Sequence, residues 1–206
     1  IAASSTANYT VSVTDQRGST DSEIVSITVS NLVPVISSLS PTNGPLAGGT
    51  IVVITGQNFA TATGVSFGGT AATSFVVDSA TQITAVSPAK SAGQVDVAVT
   101  NTNGTSANTI NDNFTYVAAP AIASVSPSSG PTAGGTSVII TGTDFTGVTS
   151  VSFGGTAASS YTVDSATQIT ATSPAGAAGQ VDIAVTAIGG SSAKTKRNKS
   201  WSAKAK

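Results

Sequence analysis

The sequence lacks cysteine, histidine and methionine, and charged residues make up only 8% of it. Without cysteine no disulfide can stabilise the fold, and without histidine the commonest metal ligand and general base is absent. No apolar run approaches the roughly 20 residues that a membrane-spanning helix needs. The missing methionine, and a start with neither a basic region nor an apolar core, predict a piece or processed form of a longer protein.

Ser, Thr, Ala, Gly and Val dominate the composition. β-branched residues pack well on a pleated surface and glycine allows tight corners. Good helix formers such as Leu, Glu and Lys are scarce. The sequence therefore predicts an all-β fold with almost no helix.

Positive charge is distributed unevenly along the chain. Residues 1–193 hold all nine acids but only two cations, Arg17 and Lys90, and carry a net charge of −7. Residues 194–206 hold the other six cations. Binding to nucleic acid, to an anionic cell wall or to an acidic surface would have to depend on this tail. We favour a solvated, disordered end, and expect no nucleic-acid partner.

An internal repeat with a shift of 86 residues runs through most of the chain. Of the 70 positions from 35 to 104, 46 are identical to the residue 86 positions later. The stretch VSFGGTAA, for example, occurs at 65–72 and again at 151–158. This period is too long for a solenoid unit and fits a small, independent β-domain.

The repeat divides the chain into four segments. They are a hairpin at 1–33, two domains at 34–117 and 120–193, and a basic tail or degenerate last strand at 194–206. The joints at Val33-Pro34 and Ala119-Pro120 should be short and stiff, because proline restricts the backbone on both sides of its bond. In the last segment, only Trp201 could replace the aromatic residues Phe114 and Tyr116 of the first copy.

Each domain contains about seven short strand-like stretches separated by turn signals. In the first copy these are Val35–Leu39, Thr50–Thr55, Gly64–Phe67, Thr73–Val77, Gln82–Val86, Val95–Thr100 and Phe114–Val117. The pattern predicts an antiparallel β-sandwich. We expect Thr50–Thr55 to be buried on both faces, and Phe75 and its counterpart Tyr161 to point into the core.

Residues 1–33 do not belong to the repeat. Two alternating stretches, Tyr9–Thr14 and Glu23–Val29, flank the sequence DQRG and predict a β-hairpin. They look like the last strands of an incomplete immunoglobulin-like, PKD-like or cadherin-like domain. An isolated hairpin is marginally stable at best, so we expect it to need a partner.

The repeated Gly-Gly-Thr could be a phosphate-binding loop or a turn. A phosphate loop needs a following helix whose amides face the anion, but the sequence after Gly68-Gly69 and Gly154-Gly155 is strand-like. We therefore interpret both pairs as turns between strands. The pairs Gly48-Gly49 and Gly134-Gly135 have the same interpretation.

The acidic residues offer no dense metal motif. Asp78 and Asp164 precede Ser-x-Thr, where a carboxylate can accept bonds from backbone amides in an Asx-turn. A calcium site is the alternative, but it needs 6–8 oxygen ligands. Asp96 and Asp182 alternate with valine on a strand and should face solvent. We expect no metal and no cofactor.

Catalytic groups are equally scarce. A serine nucleophile needs a base, and a Ser-Lys pair would have to use Lys90, whose equivalent in the second copy is Gly176. No insertion is long enough to form a cleft. The sequence predicts no enzyme and no catalytic residue, and it leaves any ligand-binding residues unknown.

Both copies contain the ordered series I-x-S-x-S-P-x-x-G-P-x-A-G-G-T, V-x-I-T-G-x-x-F, V-x-F-G-G-T-A-A, T-Q-I-T-A and G-x-V-D, spread over residues 35–190. This series resembles the IPT/TIG family of immunoglobulin-like domains. The resemblance implies an early-set immunoglobulin-like sandwich. In bacteria it implies spacers and adhesive modules of large surface or secreted proteins. In animals such domains occur in plexin-type receptors and Rel-type transcription factors.

Several functions fit these features. The first is a non-catalytic structural or adhesive spacer segment of a large extracellular bacterial protein. The alternatives are a carbohydrate-binding or spacer module of a secreted polysaccharide-acting enzyme, a phage fibre or decoration domain, and a filament subunit that assembles by strand addition. The expected partners are neighbouring domains of the same polypeptide, a cell-surface glycan or protein, or other copies that pair through exposed strands.

Overall fold

The computed structural model describes residues 4–30, 32–193 and 200–204. Within these ranges the regular secondary structure is β-strand apart from one 3-10 turn at Ile110–Asp112, and there is no α-helix. None of the described residues forms a helix with the length and hydropathy of a membrane span. The expected all-β fold is confirmed.

The chain begins with a hairpin of strands β1 (Ser4–Thr14) and β2 (Thr20–Ser30), which pair antiparallel. The Asp15 carboxylate closes the turn, because it accepts hydrogen bonds from the amides of Arg17 (2.8 Å) and Ser19 (2.9 Å). Both strands are longer than predicted. Among the described residues they form a separate two-stranded sheet.

The first repeat, named domain 1, contains ten strands. They are β3 (Val35–Ser40), β4 (Asn43–Pro45), β5 (Ile51–Gln57), β6 (Ala62–Phe67), β7 (Thr70–Ala71), β8 (Ser74–Ser79), β9 (Gln82–Val86), β10 (Gly93–Asn101), β11 (Gly104–Thr105) and β12 (Asn113–Val117). One sheet has the order β3-β5-β9-β8, and the other has the order β4-β12-β10-β6-β7 with β11 beside β10. All pairs are antiparallel except β4 with β12.

The second repeat, named domain 2, has the same topology. Its strands are β13 (Ala121–Ser126), β14 (Ser129–Pro131), β15 (Ser137–Thr143), β16 (Ser150–Phe153), β17 (Thr156–Ala157), β18 (Ser160–Ser165), β19 (Gln168–Thr172), β20 (Gly179–Ala187), β21 (Gly190–Ser191) and β22 (Ser200–Lys204). The sheet orders are β13-β15-β19-β18 and β14-β22-β20-β16-β17, with β21 beside β20. The tandem sandwich architecture predicted from the repeat is therefore confirmed.

The core of each domain lies between its two sheets and is built by alternation along the strands. In β5, Val52 and Ile54 are fully buried, whereas Ile51 is 64% exposed. The expectation that this stretch is buried on both faces is wrong, because one face of the antiparallel sheet packs on the core and the other meets solvent. The same alternation holds in β15.

The closing strands differ most between the domains. In β12, the ring of Phe114 packs edge-to-face against Phe67 (5.3 Å) and Tyr116 (5.1 Å). Tyr116 is 1% exposed, and burial raises the pKa of its phenol above the ordinary 10.0 while the Ser87 hydroxyl lowers it. In domain 2, β22 occupies the equivalent place, with Ala203 at the position of Tyr116.

The strand β22 lies within the segment 194–206, which the sequence left open as a tail or degenerate strand and for which we favoured a solvated, disordered end. Residues 200–204 form a strand, so the expectation of a disordered end is wrong for them. Its register places Trp201 opposite Val181, as Phe114 lies opposite Val95. The rest of that segment, 194–199 and 205–206, lies outside the described residues.

The edge strand β18 differs from its counterpart β8. Phe75 is half-buried and packs against the core of domain 1. Tyr161 is 37% exposed, so the expectation that it belongs to the core is wrong. It lies on the edge of its sheet, where all six residues of β18 are exposed.

Candidate functional site

The pair Gly68-Gly69 forms a tight turn between β6 and β7, and the pair Gly154-Gly155 forms the equivalent turn between β16 and β17. Their φ angles are +52° and +78° for Gly68 and Gly69, and +59° and +86° for Gly154 and Gly155. These left-handed conformations favour glycine. The Gly68 amide donates to the carbonyl of Asp96 in β10 at 2.7 Å, so this amide is already engaged in a hydrogen bond to the sheet. A strand follows each pair, as the sequence suggested.

Asp78 and Asp164 do not form the expected Asx-turns. Each lies at a β-bulge and accepts a hydrogen bond across the strands, from the hydroxyls of Thr84 and Thr170 respectively, both at 2.7 Å. The following serine caps the turn instead, since the Thr81 amide donates to Ser79 Oγ at 3.1 Å. The bulge turns the carboxylate towards the neighbouring strand, which the sequence alone does not show.

Other acids also have local roles. Asp182 is exposed, whereas Asp96 is half-buried and accepts a hydrogen bond from the Asn108 side chain. Asp112, which sequence reasoning missed, is 1% exposed and accepts from the amide (3.0 Å) and hydroxyl (3.2 Å) of Thr109. Within the described ranges, no three Asp or Glu residues come together as a metal site.

Lys90 is held by the Gly-Gly turn of its own domain. Its Nζ donates to the Gly68 carbonyl and to Thr70 Oγ1, both at 2.9 Å. Both acceptors belong to the turn, so the Lys90 ammonium has a structural role within domain 1. In this geometry Lys90 fastens the turn to the loop that precedes β10.

The joint before domain 1 is fastened by a buried asparagine. Asn101 is 5% exposed. Its Nδ2 donates to the Leu32 carbonyl at 2.9 Å, and its Oδ1 accepts from the amides of Asn103 (2.8 Å) and Gly104 (3.1 Å). Asn58 Nδ2 donates to the Val33 carbonyl at 2.9 Å. Side chains of domain 1 therefore fix the backbone that enters it.

The joint between the domains is fastened by close packing. Gly189, in the turn between β20 and β21, is buried. A Cβ atom at Gly189 would lie 1.9 Å from the Ala118 carbonyl oxygen and 2.8 Å from the Ala119 nitrogen. Pro120 is buried at the start of domain 2. The backbone of the joint thus lies directly against domain 2, with no space for a side chain between them.

The strand order of each domain defines the class of protein. Sheets ordered β3-β5-β9-β8 and β12-β10-β6 correspond to the ABED and GFC sheets of an immunoglobulin-like sandwich. Each domain is thus an immunoglobulin-like module. The IPT/TIG domain model matches residues 34–116 and 120–198, and the chain belongs to that family.

Similar proteins are much longer than this chain. Protein MGA2 of Saccharomyces cerevisiae is 40% identical over 99 residues, which covers 42% of this chain and 9% of that protein. The full extracellular region of plexin A4 is 23% identical, with a TM-score of 0.51, over 84% of this chain and 16% of its own. SGBP-B from a xyloglucan utilization locus of Bacteroides uniformis is 23% identical, with a TM-score of 0.37, over 82% of this chain and 49% of its own.

Proposed function

We propose that this chain is a non-catalytic spacer segment of a large extracellular bacterial protein. Its role is mechanical, since two sandwiches in tandem set the distance and orientation of the modules on either side. The main support is the joint between the domains, where the backbone at Ala118 leaves no space beside Gly189. A spacer transmits orientation only if its joints resist bending, because domains otherwise move relative to one another by default.

Two further observations support this proposal. The chain spans 9% of its yeast relative and 16% of the plexin A4 region, so similar modules are small parts of long polypeptides. Asp78, Asp164 and Lys90 bond to their own turns and strands, and Asn58 and Asn101 bond to the joint before domain 1. Few charges, no cysteine and many Ser and Thr residues suit a β-surface outside the cell.

Spin-label distances between the domains test the spacer role. The chain has no cysteine, so the double variant Ala71→Cys, Ala157→Cys places one label at the equivalent exposed position of each domain. We expect a single narrow distance distribution by double electron–electron resonance. Replacing Gly189 by Val forces the joint away from domain 2, and we expect the distribution to become roughly twice as wide as free domain motion returns.

Gly176→Ala is the matched control, because a Cβ there meets no atom within 4 Å. Its distance distribution should equal that of the parent. If the parent distribution is already as broad as that of the Gly189 variant, the joint is not stiff and the spacer proposal fails.

The exposure of Tyr161 favours a second function, carbohydrate binding. Aromatic rings that face solvent can pack against sugar rings, and Tyr161 is 37% exposed on the edge strand β18 beside the 36% exposed Val163. A glycan array is expected to show binding that falls at least about tenfold in Tyr161→Ala, the effect of losing about 1.4 kcal/mol. The variant Val163→Ala should keep most of the glycan binding. An array without signal would count against this function.

A further inference from the structure

Domain 2 contains a cavity of about 280 Å³ beneath its Gly-Gly turn. Apolar residues form much of its wall, including Phe153, Pro174, Val181 and Ala203. Gly154 and Thr156 of the turn line it too, and so does Gly176, which has no side chain. The cavity thus combines apolar side chains with polar atoms of the turn and the neighbouring loop.

In domain 1 two large side chains stand at the positions equivalent to Gly176 and Ala203. Lys90, which corresponds to Gly176, donates from Nζ to the Gly68 carbonyl and to Thr70 Oγ1 at 2.9 Å each. Tyr116, which corresponds to Ala203, donates from its hydroxyl to the Pro88 carbonyl at 2.9 Å. Domain 2 lacks both large side chains and keeps the residues that receive them, namely Gly154, Thr156 and Pro174.

The backbone around these acceptors is the same in both domains. Phe153 pairs with Thr156 as Phe67 pairs with Thr70, and the Gly154 amide donates to the Asp182 carbonyl at 2.7 Å, the distance found for Gly68 and Asp96. The backbone therefore places Gly154 and Thr156 as it places Gly68 and Thr70, the two residues that bind an ammonium group in domain 1.

We propose that this cavity binds the lysine side chain of a partner protein. The ammonium donates to the Gly154 carbonyl and to Thr156 Oγ1, and the four-carbon stem packs against the apolar wall. Lys90 shows in domain 1 that a lysine stem reaches this pair of acceptors from the adjacent loop. Domain 2 thus receives from another molecule the group that domain 1 supplies for itself.

Titration of the ¹⁵N-labelled chain with Nα-acetyl-lysine N-methylamide tests the proposal by NMR. We expect saturable shifts of the Gly154, Thr156 and Gly176 amides, with a Kd on the order of 1 mM for a ligand of this size. The norleucine analogue, which has the stem without the ammonium, should bind at least about tenfold more weakly, equivalent to about 1.4 kcal/mol. Equal binding of both probes, or equal shifts at Gly68 and Thr70 of domain 1, would overturn the proposal.

Two variants and one control locate the site. Gly176→Lys places a lysine of domain 2 itself at the cavity and should abolish the shifts. The amide signals should stay well dispersed, which shows that the variant is folded. Thr156→Val removes one acceptor and should raise the Kd about tenfold or more, as expected for a hydrogen bond to a charged group. Thr70→Val makes the same change in domain 1 and should leave the Kd unchanged. Wild-type binding by Gly176→Lys would show that the probe binds elsewhere.

Discussion

Gly56→Ala is expected to unfold domain 1 selectively, at a temperature about 15 °C below that of the parent. Gly56 is buried at the end of β5 and needs glycine for space, since a Cβ there would lie 2.0 Å from the Val35 carbonyl oxygen and 2.4 Å from Phe59 Cζ. Neither neighbour can move freely, because one is backbone and the other is a fully buried ring. Overpacking of this kind costs about 3 kcal/mol.

The repeat provides the reciprocal experiment. Gly142 is in the same situation, with a Cβ 2.0 Å from the Ala121 carbonyl oxygen and 2.6 Å from Phe145 Cζ, so Gly142→Ala should unfold domain 2 selectively. The temperature at which the amide cross-peaks of each domain disappear from the NMR spectrum measures both effects. Gly64→Ala is the control, because its Cβ approaches nothing closer than 4.0 Å. Equal loss in both domains would contradict the steric explanation.

The sequence predicted much of the fold because the repeat removes ambiguity. Every strand of domain 1 up to β11 has a counterpart at the same shift in domain 2, and short alternating stretches between glycine and proline turns favour a sandwich. The prediction failed at Ile51, where a continuous apolar stretch suggested burial on both faces. Periodicity cannot distinguish such a stretch from a strand with one solvent-exposed apolar residue.

The side-chain roles were harder to predict, since they depend on register. The cross-strand bond of Asp78 follows from a bulge between Val77 and Ser79, for which the sequence has no distinct signal. The cavity of domain 2 depends on the closing strand. A shift of 86 pairs Tyr116 with Ser202, whereas the backbone register pairs it with Ala203. The register therefore decides that Trp201 corresponds to Phe114 and Ala203 to Tyr116, which the sequence had left open.

Tyr116→Ala is expected to destabilise domain 1 by about 4 kcal/mol, the typical cost of removing a large buried aromatic ring. The ring packs against Phe114, and its hydroxyl bonds to the Pro88 carbonyl. Tyr116→Phe separates the two contributions, because it removes only the hydrogen bond, at a cost of about 1 kcal/mol. Urea unfolding followed by the amide signals of each domain gives both values. If the alanine variant costs no more than the phenylalanine variant, packing of the ring contributes little.

The reverse substitution, which adds a ring to domain 2, should raise the free energy of unfolding instead of lowering it. Ala203→Tyr introduces the ring where domain 2 has a cavity of about 280 Å³, with the Pro174 carbonyl in the place of the Pro88 carbonyl. Filling such a space commonly stabilises a protein by about 1 kcal/mol, so the urea midpoint of domain 2 should rise towards that of domain 1. A lower midpoint would mean that the wall has relaxed inward and no longer accepts the ring. Since domain 2 lacks both Lys90 and Tyr116, we expect it to be the less stable domain of the parent chain, and the ring alone to recover only part of the difference.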